Sequence, residues 1–187
     1  MAYDRYLDIH LCDNFDTPTF AKDVKEQQQH QIGKIGANAY RKMEVPGLTI
    51  KRRITNSKEQ IAWVCAGTSS KIRINAHGSG SDGKLTDGRG FDVKTEDLAD
   101  FLIANGLTPG QKGGLQTINL AACEAAHGPQ ERWIIKLLAD RLKLPGVQFT
   151  GAPSIVRMDN GVLQVRVAGQ AEPFNHHNTH KKTYTYA

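Results

Sequence analysis

The sequence predicts one α/β domain whose central sheet is mostly parallel and is covered by helices on both faces. Its 187 residues, 39% hydrophobic and 23% charged, have the composition of an ordinary globular domain. Strand-like and helix-like segments alternate from residue 48 to residue 150, which favours parallel strands joined by crossover helices. The dipeptide Asn160-Gly161 predicts a β-hairpin after that sheet. A chain of this length buries roughly 70% of its unfolded surface, so it needs no metal or disulfide to hold its core.

Residues 1–45 are interpreted as an N-terminal strand and arm. Residues 6–12 fit a first strand, and the polar segment 18–31 fits an exposed helix or a surface arm, to which we assign no function. Residues 48–170 form the predicted core of the single domain, and residues 171–187 form a polar tail. The tail contains His176, His177 and His180 without a nearby carboxylate or cysteine, so we expect no metal site.

Alternating side chains predict strands at residues 48–54 and 71–75. A Gly-rich stretch, 78–90, precedes a helix that has Thr95 as its N-cap and ends at Gly106. The buried face of this helix is predicted to contain Leu98, Phe101 and Leu102.

The second half of the core predicts two more strands, a helix and the hairpin. Residues 115–122 have the continuous apolar pattern of a buried strand, and another strand follows at 147–150. Pro129 opens the intervening helix, which ends before Pro145 and has an apolar stripe of Trp133, Ile134, Leu137, Leu138 and Leu142. A two-residue turn in the hairpin, 155–167, puts one apolar set on one face: Val156, Met158, Leu163, Val165 and Val167.

Charge and cysteine content narrow the class of protein. The net charge is +5, and the basic residues are scattered and not interleaved with aromatic residues, so we expect no nucleic-acid partner. No window is apolar enough for a membrane span, and polar residues interrupt the N-terminus where a signal peptide needs an apolar core. Cys12, Cys65 and Cys123 have neither disulfide-framework nor CxxC spacing. These features predict a soluble protein of a reducing cytosol.

Two of the apolar strands end in side chains that are reactive together. His77 follows the strand at 71–75, and Cys123 follows the strand at 115–122. Because the carboxyl ends of parallel strands lie at the same edge of a sheet, we expect His77 and Cys123 to be close. A neighbouring imidazole either deprotonates a thiol or stabilises its thiolate. The pair therefore predicts a nucleophile with its base.

The positions around this pair also predict donors for an oxyanion. Cys123 lies between a strand and a helix start, where free backbone N–H groups lower the pKa of a thiol and hold a developing negative charge. Gly78 lets the backbone turn sharply and approach a substrate carbonyl. The amides of Gly78 and Cys123 are the predicted oxyanion hole.

These segments resemble the clan CD cysteine peptidases, the group of caspases, legumains, gingipains and clostripain. The clan motif is an apolar block followed by His-Gly, then a second apolar block followed by a small residue and Cys, and residues 72–78 and 118–123 are similar to its two halves. Residues 94–102 resemble the Ser-Ala-x-Glu-Leu-Ala helix start in the self-processing cysteine peptidase domains of large bacterial MARTX-type toxins. The resemblance covers residues 48 to about 167.

The resemblance implies a caspase-like α/β/α sandwich with a C-terminal β-hairpin flap. It implies a cysteine endopeptidase that cleaves a protein or peptide substrate through an acyl-enzyme, with His77 as general base and acid and Cys123 as nucleophile. It also implies a bacterial effector or toxin-type protease that reaches the cytosol of another cell without a classical signal peptide.

Further contacts are expected around this dyad. Substrate is expected to touch residues next to the dyad and in the segment 150–154, namely Ser79, Glu124, Gly151, Ala152 and Pro153. That segment contains no Asp or Glu, which disfavours a basic residue on the acyl side of the cleaved bond. No cofactor is required. The resemblance implies inositol hexakisphosphate as an activator, with Arg157 and Arg166 on the hairpin as anion contacts, and a plain structural hairpin is the alternative.

Other interpretations of the same residues stay open. Residues 78–83 spell GxGxxG, but the helix that would receive a pyrophosphate starts only near Thr95, so we prefer a lid beside the histidine. His127 precedes a glycine as His77 does, yet no apolar strand leads to it, which makes it the weaker candidate base. The second class of function is an inactive caspase-like module that binds a protein partner or an anionic ligand.

Overall fold

The computed structural model describes residues 2–11, 18–54, 58–79, 84–86, 92–167, 169 and 174–187. In these ranges the strands are β1 (Arg5–Leu11), β2 (Tyr40–Val45), β3 (Ser70–Asn75), β4 (His77–Ser79), β5 (Lys84–Thr86), β6 (Asp92–Lys94), β7 (Leu115–Ala121), β8 (Gln148–Gly151), β9 (Val156–Asp159), β10 (Val162–Arg166), β11 (Phe174–His176) and β12 (Lys182–Thr185). Six of them form the central sheet in the order β12-β8-β7-β3-β1-β2. All neighbours in it are parallel except β12 against β8, so the predicted mostly parallel sheet is confirmed.

Helices connect and cover these strands. They are α1 (Pro18–Ile35), α2 (Gly47–Lys51), α3 (Lys58–Cys65), α4 (Thr95–Ala104), α5 (Ile134–Leu142) and α6 (His177–His180), with 3-10 turns at Ala37–Ala39 and Gln130–Arg132. Within the described ranges, none of these helices has the length and apolar character that crossing a bilayer requires.

The two faces of the central sheet are covered by different elements. Trp63 of α3 packs beneath the guanidinium groups of Arg5 and Arg41, which point to one face. On that face Gly151 of β8 lies so close to Ile135 of α5 that a Cβ at position 151 would come within 2.8 Å of the Ile135 Cγ2. On the other face, the side-chain amide of Gln27 in α1 donates a hydrogen bond to the Asp8 carboxylate in β1. The fold is therefore α/β with helices on both sides of the sheet.

Strand register assigns the side chains to these faces. The face below α3, α4 and α5 is apolar and fully buried, with Leu7, Ile9, Ile72, Ile74, Ile118, Leu120 and Phe149. The face below α1 is polar although it is also buried, with Tyr6, Asp8, His10, Arg73, Asn75, Thr117 and Asn119. The hydrophobic core thus lies mainly on one side of the sheet.

The hairpin forms as predicted. Val162 pairs with Asp159, and the turn residues Asn160 and Gly161 have φ angles of 48° and 78°, both positive as a type I′ turn requires. Val156 pairs with Val165 and Met158 with Leu163, which confirms that these side chains share a face. Strand β11 pairs with β10 and extends the hairpin to three strands. A Cβ at Gly161 would lie 2.5 Å from the Glu26 carbonyl oxygen, so the turn packs directly on α1.

Most elements of the predicted core are confirmed. Strands β3, β7 and β8 occupy the expected segments, and α4 begins at Thr95, with Lys94 rather than Thr95 at the N-cap and Gly106 at a φ of 113° beyond its end. Helix α5 begins at Ile134 instead of Pro129, because the 3-10 turn takes up the intervening residues.

The predicted strand at 48–54 is wrong. The segment forms the short helix α2 and a turn, with Pro46 in extended conformation at the N-cap. Ile50 is fully buried, whereas Leu48 and Ile54 are 39% and 42% exposed, so the alternating apolar residues do not share a buried face. Arg53 has a φ of 53°, which lies outside the range of an extended strand.

The N-terminal and Gly-rich segments contain more structure than the sequence analysis predicted. Strand β1 is central in the sheet, α1 covers its polar face, and β2, which was not predicted, forms one edge. Strands β4, β5 and β6 form a small antiparallel sheet whose Leu85 and Val93 are fully buried. Residues 80–83 and 87–91 of the predicted lid, and Cys12, lie outside the described residues.

Candidate active site

His77 and Cys123 lie just beyond the carboxyl ends of neighbouring strands. Strands β3 and β7 are paired in parallel with Asn75 opposite Ala121, and each reactive residue follows its strand by the same two positions. The Ala76 amide donates to the Ala121 carbonyl at 3.3 Å, which extends the pairing toward the reactive residues. His77 and Cys123 line one common cavity of about 140 Å³. The structure therefore brings the predicted pair together.

The residue after His77 packs so closely against the Cys123 backbone that only glycine fits. A Cβ at this position would lie 2.2 Å from the Cys123 carbonyl oxygen and 3.1 Å from the Cys123 amide nitrogen. No side chain fits there without moving the backbone that carries the thiol. The close approach holds the two predicted oxyanion donors, the amides of Gly78 and Cys123, beside each other.

The loop after Cys123 is held by the segment that follows β8. Glu124 has a φ of 56°, and its amide donates to the Ser154 carbonyl at 2.9 Å. The Ala126 amide donates to the Ala152 carbonyl at 2.8 Å. The Cys123 amide donates to no backbone carbonyl in the part of the chain that the structure describes. These bonds turn the chain sharply after Cys123.

The thiol lies against the start of the hairpin. The Val156 amide donates to the Cys123 Sγ at 3.4 Å, and the Sγ lies 3.9 Å from the Val156 carbonyl oxygen. Cys65, the other described cysteine, is also free, and burial raises the pKa of its thiol. The two cysteines therefore occupy different environments.

Where the structure describes their side chains, the residues predicted to contact substrate do not line the cavity. Gly151 and Ala152 are buried. The Ala152 and Ser154 carbonyls accept hydrogen bonds from the loop that follows Cys123. The His127 Nδ1 lies 3.2 Å from the Pro153 carbonyl oxygen, and His127 does not line the cavity. Neither these residues nor Glu124 line the cavity, and the side chain of Ser79 lies outside the described structure.

The cavity walls come instead from α1 and the hairpin. From α1, Asp23, Val24 and Gln27 line it. From the hairpin and the strand ends come Asn75, Ala76, Ala121, Val156, Arg157, Met158 and Leu163. The α1 residues could not be predicted, because a polar helix with three consecutive glutamines gives no sign of facing a cavity.

A second cavity, of about 70 Å³, lies on the same polar face and is lined with basic residues. It is surrounded by Lys34 of α1 and by Lys71 and Arg73 of β3, together with His30 and Asn119. Leu163 lines both cavities and lies between them. Burial, followed by the charge of Arg73, lowers the pKa of Lys71 to about 7. We refer to it below as the basic pocket. Three basic side chains therefore face this pocket.

Arg73 is the central group of the basic pocket. Its side chain is 5% exposed and donates to the Tyr6 hydroxyl at 3.3 Å. Its Nε is buried without a hydrogen-bond partner among the described residues. The sequence signal for this site was the charged pair at positions 71 and 73 of a strand that must be covered on both faces, because such charges require a partner.

The two predicted anion contacts lie elsewhere on the hairpin. The Arg157 guanidinium donates to Gln164 Oε1 at 2.8 Å and stacks on the Phe174 ring at 4.1 Å. Arg166 is exposed at the end of β10. The structure brings neither residue into the basic pocket.

A buried polar cluster connects the sheet to the first cavity. The Asp8 carboxylate accepts hydrogen bonds from the Tyr40 hydroxyl at 2.6 Å and from the side-chain amides of Gln27 and Asn75 at 3.3 Å each. Gln27 and Asn75 also line the cavity. Burial lowers the pKa of the neighbouring His10 to about 4, so this imidazole is neutral at pH 7.

The histidines of the tail do not share one helix. His176 ends β11, and α6 begins at His177, so the spacing of His176 and His180 is not helical. In the described part of the chain, no three His, Cys, Asp or Glu side chains are grouped as a metal site requires.

No protein-family model matches this chain, and no curated protein sequence is significantly similar to it.

Proposed function

We propose that the protein is a cysteine endopeptidase of the caspase-like type that acts through Cys123 and His77. The observation that carries this proposal is the joint position of the two residues: they line one cavity at the carboxyl edge of the sheet, and Gly78 packs against the Cys123 backbone. Ligands of parallel α/β sheets bind at this edge. The resemblance to clan CD peptidases and the hairpin beside the thiol agree with it.

The geometry supports acyl transfer in two steps. His77 accepts the Cys123 proton, and the thiolate attacks the carbonyl carbon of the scissile bond to form a C–S bond. The developing oxyanion accepts hydrogen bonds from the amides of Gly78 and Cys123. The C–N bond then breaks as His77 donates the proton to the leaving amine. A water molecule, deprotonated by His77, hydrolyses the acyl-enzyme and restores the thiol.

New peptide termini test this proposal. The wild-type protein, Cys123→Ala and Cys65→Ala are each incubated with a complex peptide library, with and without inositol hexakisphosphate, and termini are identified by mass spectrometry. We expect the same new termini with wild type and Cys65→Ala and none with Cys123→Ala. Identical termini with wild type and Cys123→Ala would contradict a Cys123 nucleophile.

Thiol reactivity gives a readout that requires no substrate. At pH 7 we expect iodoacetamide to label Cys123 at least about tenfold faster than Cys65, whose pKa burial raises. His77→Ala removes this preference, because His77 assists the thiolate. Equal labelling rates in the wild-type protein argue against an activated nucleophile.

We further propose that a phosphorylated anion such as inositol hexakisphosphate binds at the basic pocket and acts as an activator. Support comes from the buried Arg73 Nε without a partner, from Lys34 and Lys71 beside it, and from Leu163, which lines both cavities. An anion there would fix the hairpin that also contacts the thiol. The pocket also favours the second candidate function, an inactive module that binds an anionic ligand.

Calorimetric titration with inositol hexakisphosphate tests the basic pocket. Arg73→Met is expected to weaken binding at least about tenfold, because it removes a buried cationic donor. Arg166→Met serves as the matched control and is expected to change affinity less than about threefold, since exposed charges contribute little. If Arg166→Met weakens binding more than Arg73→Met does, the anion binds on the outer face of the hairpin instead. Binding without any new peptide termini would favour the inactive module.

A further inference from the structure

The cavity beside Cys123 contains a carboxylate that the dyad does not explain. Asp23 lines the cavity from α1. Burial, followed by the charge of Glu26, raises the pKa of Asp23. Among the described residues, no Lys or Arg nitrogen lies within ion-pair distance of this carboxylate; Lys22 pairs with Glu26 instead. A partly desolvated carboxylate in a cavity is complementary to a cation.

The remaining polar groups of the cavity are held by other partners. Gln27 and Asn75 direct their amides to Asp8 at 3.3 Å. Arg157 is held by Gln164 and by the Phe174 ring. Most other lining residues are apolar: Val24, Ala76, Ala121, Val156, Met158 and Leu163. The cavity thus combines apolar walls with two charged groups: the Asp23 carboxylate, which forms no ion pair among the described residues, and the Arg157 guanidinium, which is turned toward Gln164 and Phe174.

We infer that this cavity receives the side chain on the acyl side of the scissile bond, the P1 residue, and that Asp23 selects lysine or arginine there. The inference rests on the proposed peptidase function. The methylene stem of such a residue packs along the apolar walls while its cation meets the Asp23 carboxylate. A short apolar P1 residue leaves the Asp23 carboxylate without a partner.

This inference reverses the expectation from the sequence. A basic P1 residue was disfavoured because residues 150–154 contain no acid. That segment does not line the cavity, and the acid comes from α1 instead. An acidic side chain in the wall still selects a basic P1 residue, but that side chain is Asp23 of α1.

Four peptidyl-coumarin substrates that differ only at P1 test the selection: lysine, arginine, norleucine and aspartate. Norleucine resembles the lysine stem in length and lacks the charge. We expect kcat/KM for lysine to exceed that for norleucine at least about tenfold in the wild-type protein. Asp23→Asn brings this ratio near one by raising KM for lysine, whereas the control Glu26→Gln keeps the ratio. Equal cleavage of lysine and norleucine by the wild type overturns the inference, as does an unchanged ratio in Asp23→Asn.

Binding to the Cys123→Ala protein separates this inference from the proposed function. N-acetyl-lysine amide and N-acetyl-norleucine amide are titrated and followed by NMR chemical shifts. We expect the lysine amide to bind more tightly and to lose this advantage when Asp23→Asn is added. If neither amide binds, or the norleucine amide binds as well as the lysine amide, the Asp23 selection is wrong. Selective binding of the lysine amide without hydrolysis by the wild type would retain the Asp23 site and reject the peptidase.

Discussion

The same strands present two chemically different faces. On the face below α3, α4 and α5, the inward side chains of β1, β3, β7 and β8 are aliphatic or aromatic and form the core. On the face below α1 and the hairpin, the alternate positions carry tyrosine, aspartate, histidine, lysine, arginine and asparagine. Both faces are buried, so exposure to water does not explain the difference.

The comparison teaches where the sheet serves stability and where it serves binding. Burying polar groups costs free energy unless they are satisfied, so a face that served stability alone would not carry them. The cavity of the dyad and the basic pocket both lie on the polar face, at opposite sides of Leu163. The low pKa of His10 reflects how strongly this face resists an additional charge. We therefore propose that the polar face is the functional half of the molecule.

Two substitutions on neighbouring residues of β8 test this contrast most strongly. Phe149 is fully buried on the apolar face, and Phe149→Ala is expected to lower the free energy of unfolding by about 3–5 kcal/mol through the cavity it leaves. Thr150 faces the other side, where its hydroxyl accepts a hydrogen bond from Asn119 at 2.8 Å. Thr150→Val is expected to cost only about 1 kcal/mol. Similar losses in urea denaturation would show that both faces stabilise the fold equally.

The pH dependence of stability tests the basic pocket. Lys71 has a pKa of about 7 in the folded state and an ordinary, higher value when unfolded. Between these values the unfolded state binds more protons, so the stability contribution of this group rises with pH from about 7 upward. From pH 7 to pH 9 we expect a gain on the order of 1–2 kcal/mol that is lost in Lys71→Met.

Lys34→Met provides the matched control for this measurement, because Lys34 lines the same pocket but is exposed. It is expected to retain the rise in stability between pH 7 and pH 9. Denaturation is measured in chloride buffers without phosphate or sulfate, since a bound anion would keep Lys71 protonated. If the stability difference between the wild-type protein and Lys71→Met is the same at pH 7 and at pH 9, Lys71 does not become neutral in the folded state over this range.

The sequence predicted the apolar half of this molecule better than the polar half. Strands β3, β7 and β8 and helix α4 follow from their apolar patterns and glycine stops, because burial of these side chains is what forms them. The position of His77 and Cys123 at one edge of the sheet was also predictable, since parallel strands end at one edge. The segment 48–54 was not, because alternation over so few residues does not distinguish a strand from one helical turn.

The cavity walls were beyond the sequence for a different reason. Asp23 and Gln27 belong to a polar helix whose pattern indicates solvent on all sides, yet they face buried polar groups of β1 and β3. A polar helix on a polar sheet face has no hydrophobic periodicity to reveal it. Only the register of β1 and β3, which pairs Tyr6, Asp8 and His10 with Lys71, Arg73 and Asn75, shows that this face is polar throughout.

The hydroxyl groups of two tyrosines on opposite faces give the smallest and most selective test. The Tyr40 hydroxyl donates to the Asp8 carboxylate at 2.6 Å in the buried cluster, and burial raises the Tyr40 pKa, so this hydroxyl stays protonated. Tyr40→Phe is expected to cost about 1–2 kcal/mol of stability. The control Tyr184→Phe removes a part-buried bond of 3.2 Å to Asp140 and is expected to cost less than about 0.5 kcal/mol.

The two variants also differ in what else they change. Asp8 orients the amides of Gln27 and Asn75, which line the cavity of the dyad, so Tyr40→Phe should raise KM for a peptide substrate while kcat changes little. Tyr184→Phe should leave both constants unchanged, because Tyr184 packs on α5 at the far side of the sheet. If Tyr40→Phe lowers stability without any effect on KM, the buried cluster supports the fold alone. In that case only the residues of the polar face that line the cavity would affect function, and the rest of this face would serve stability.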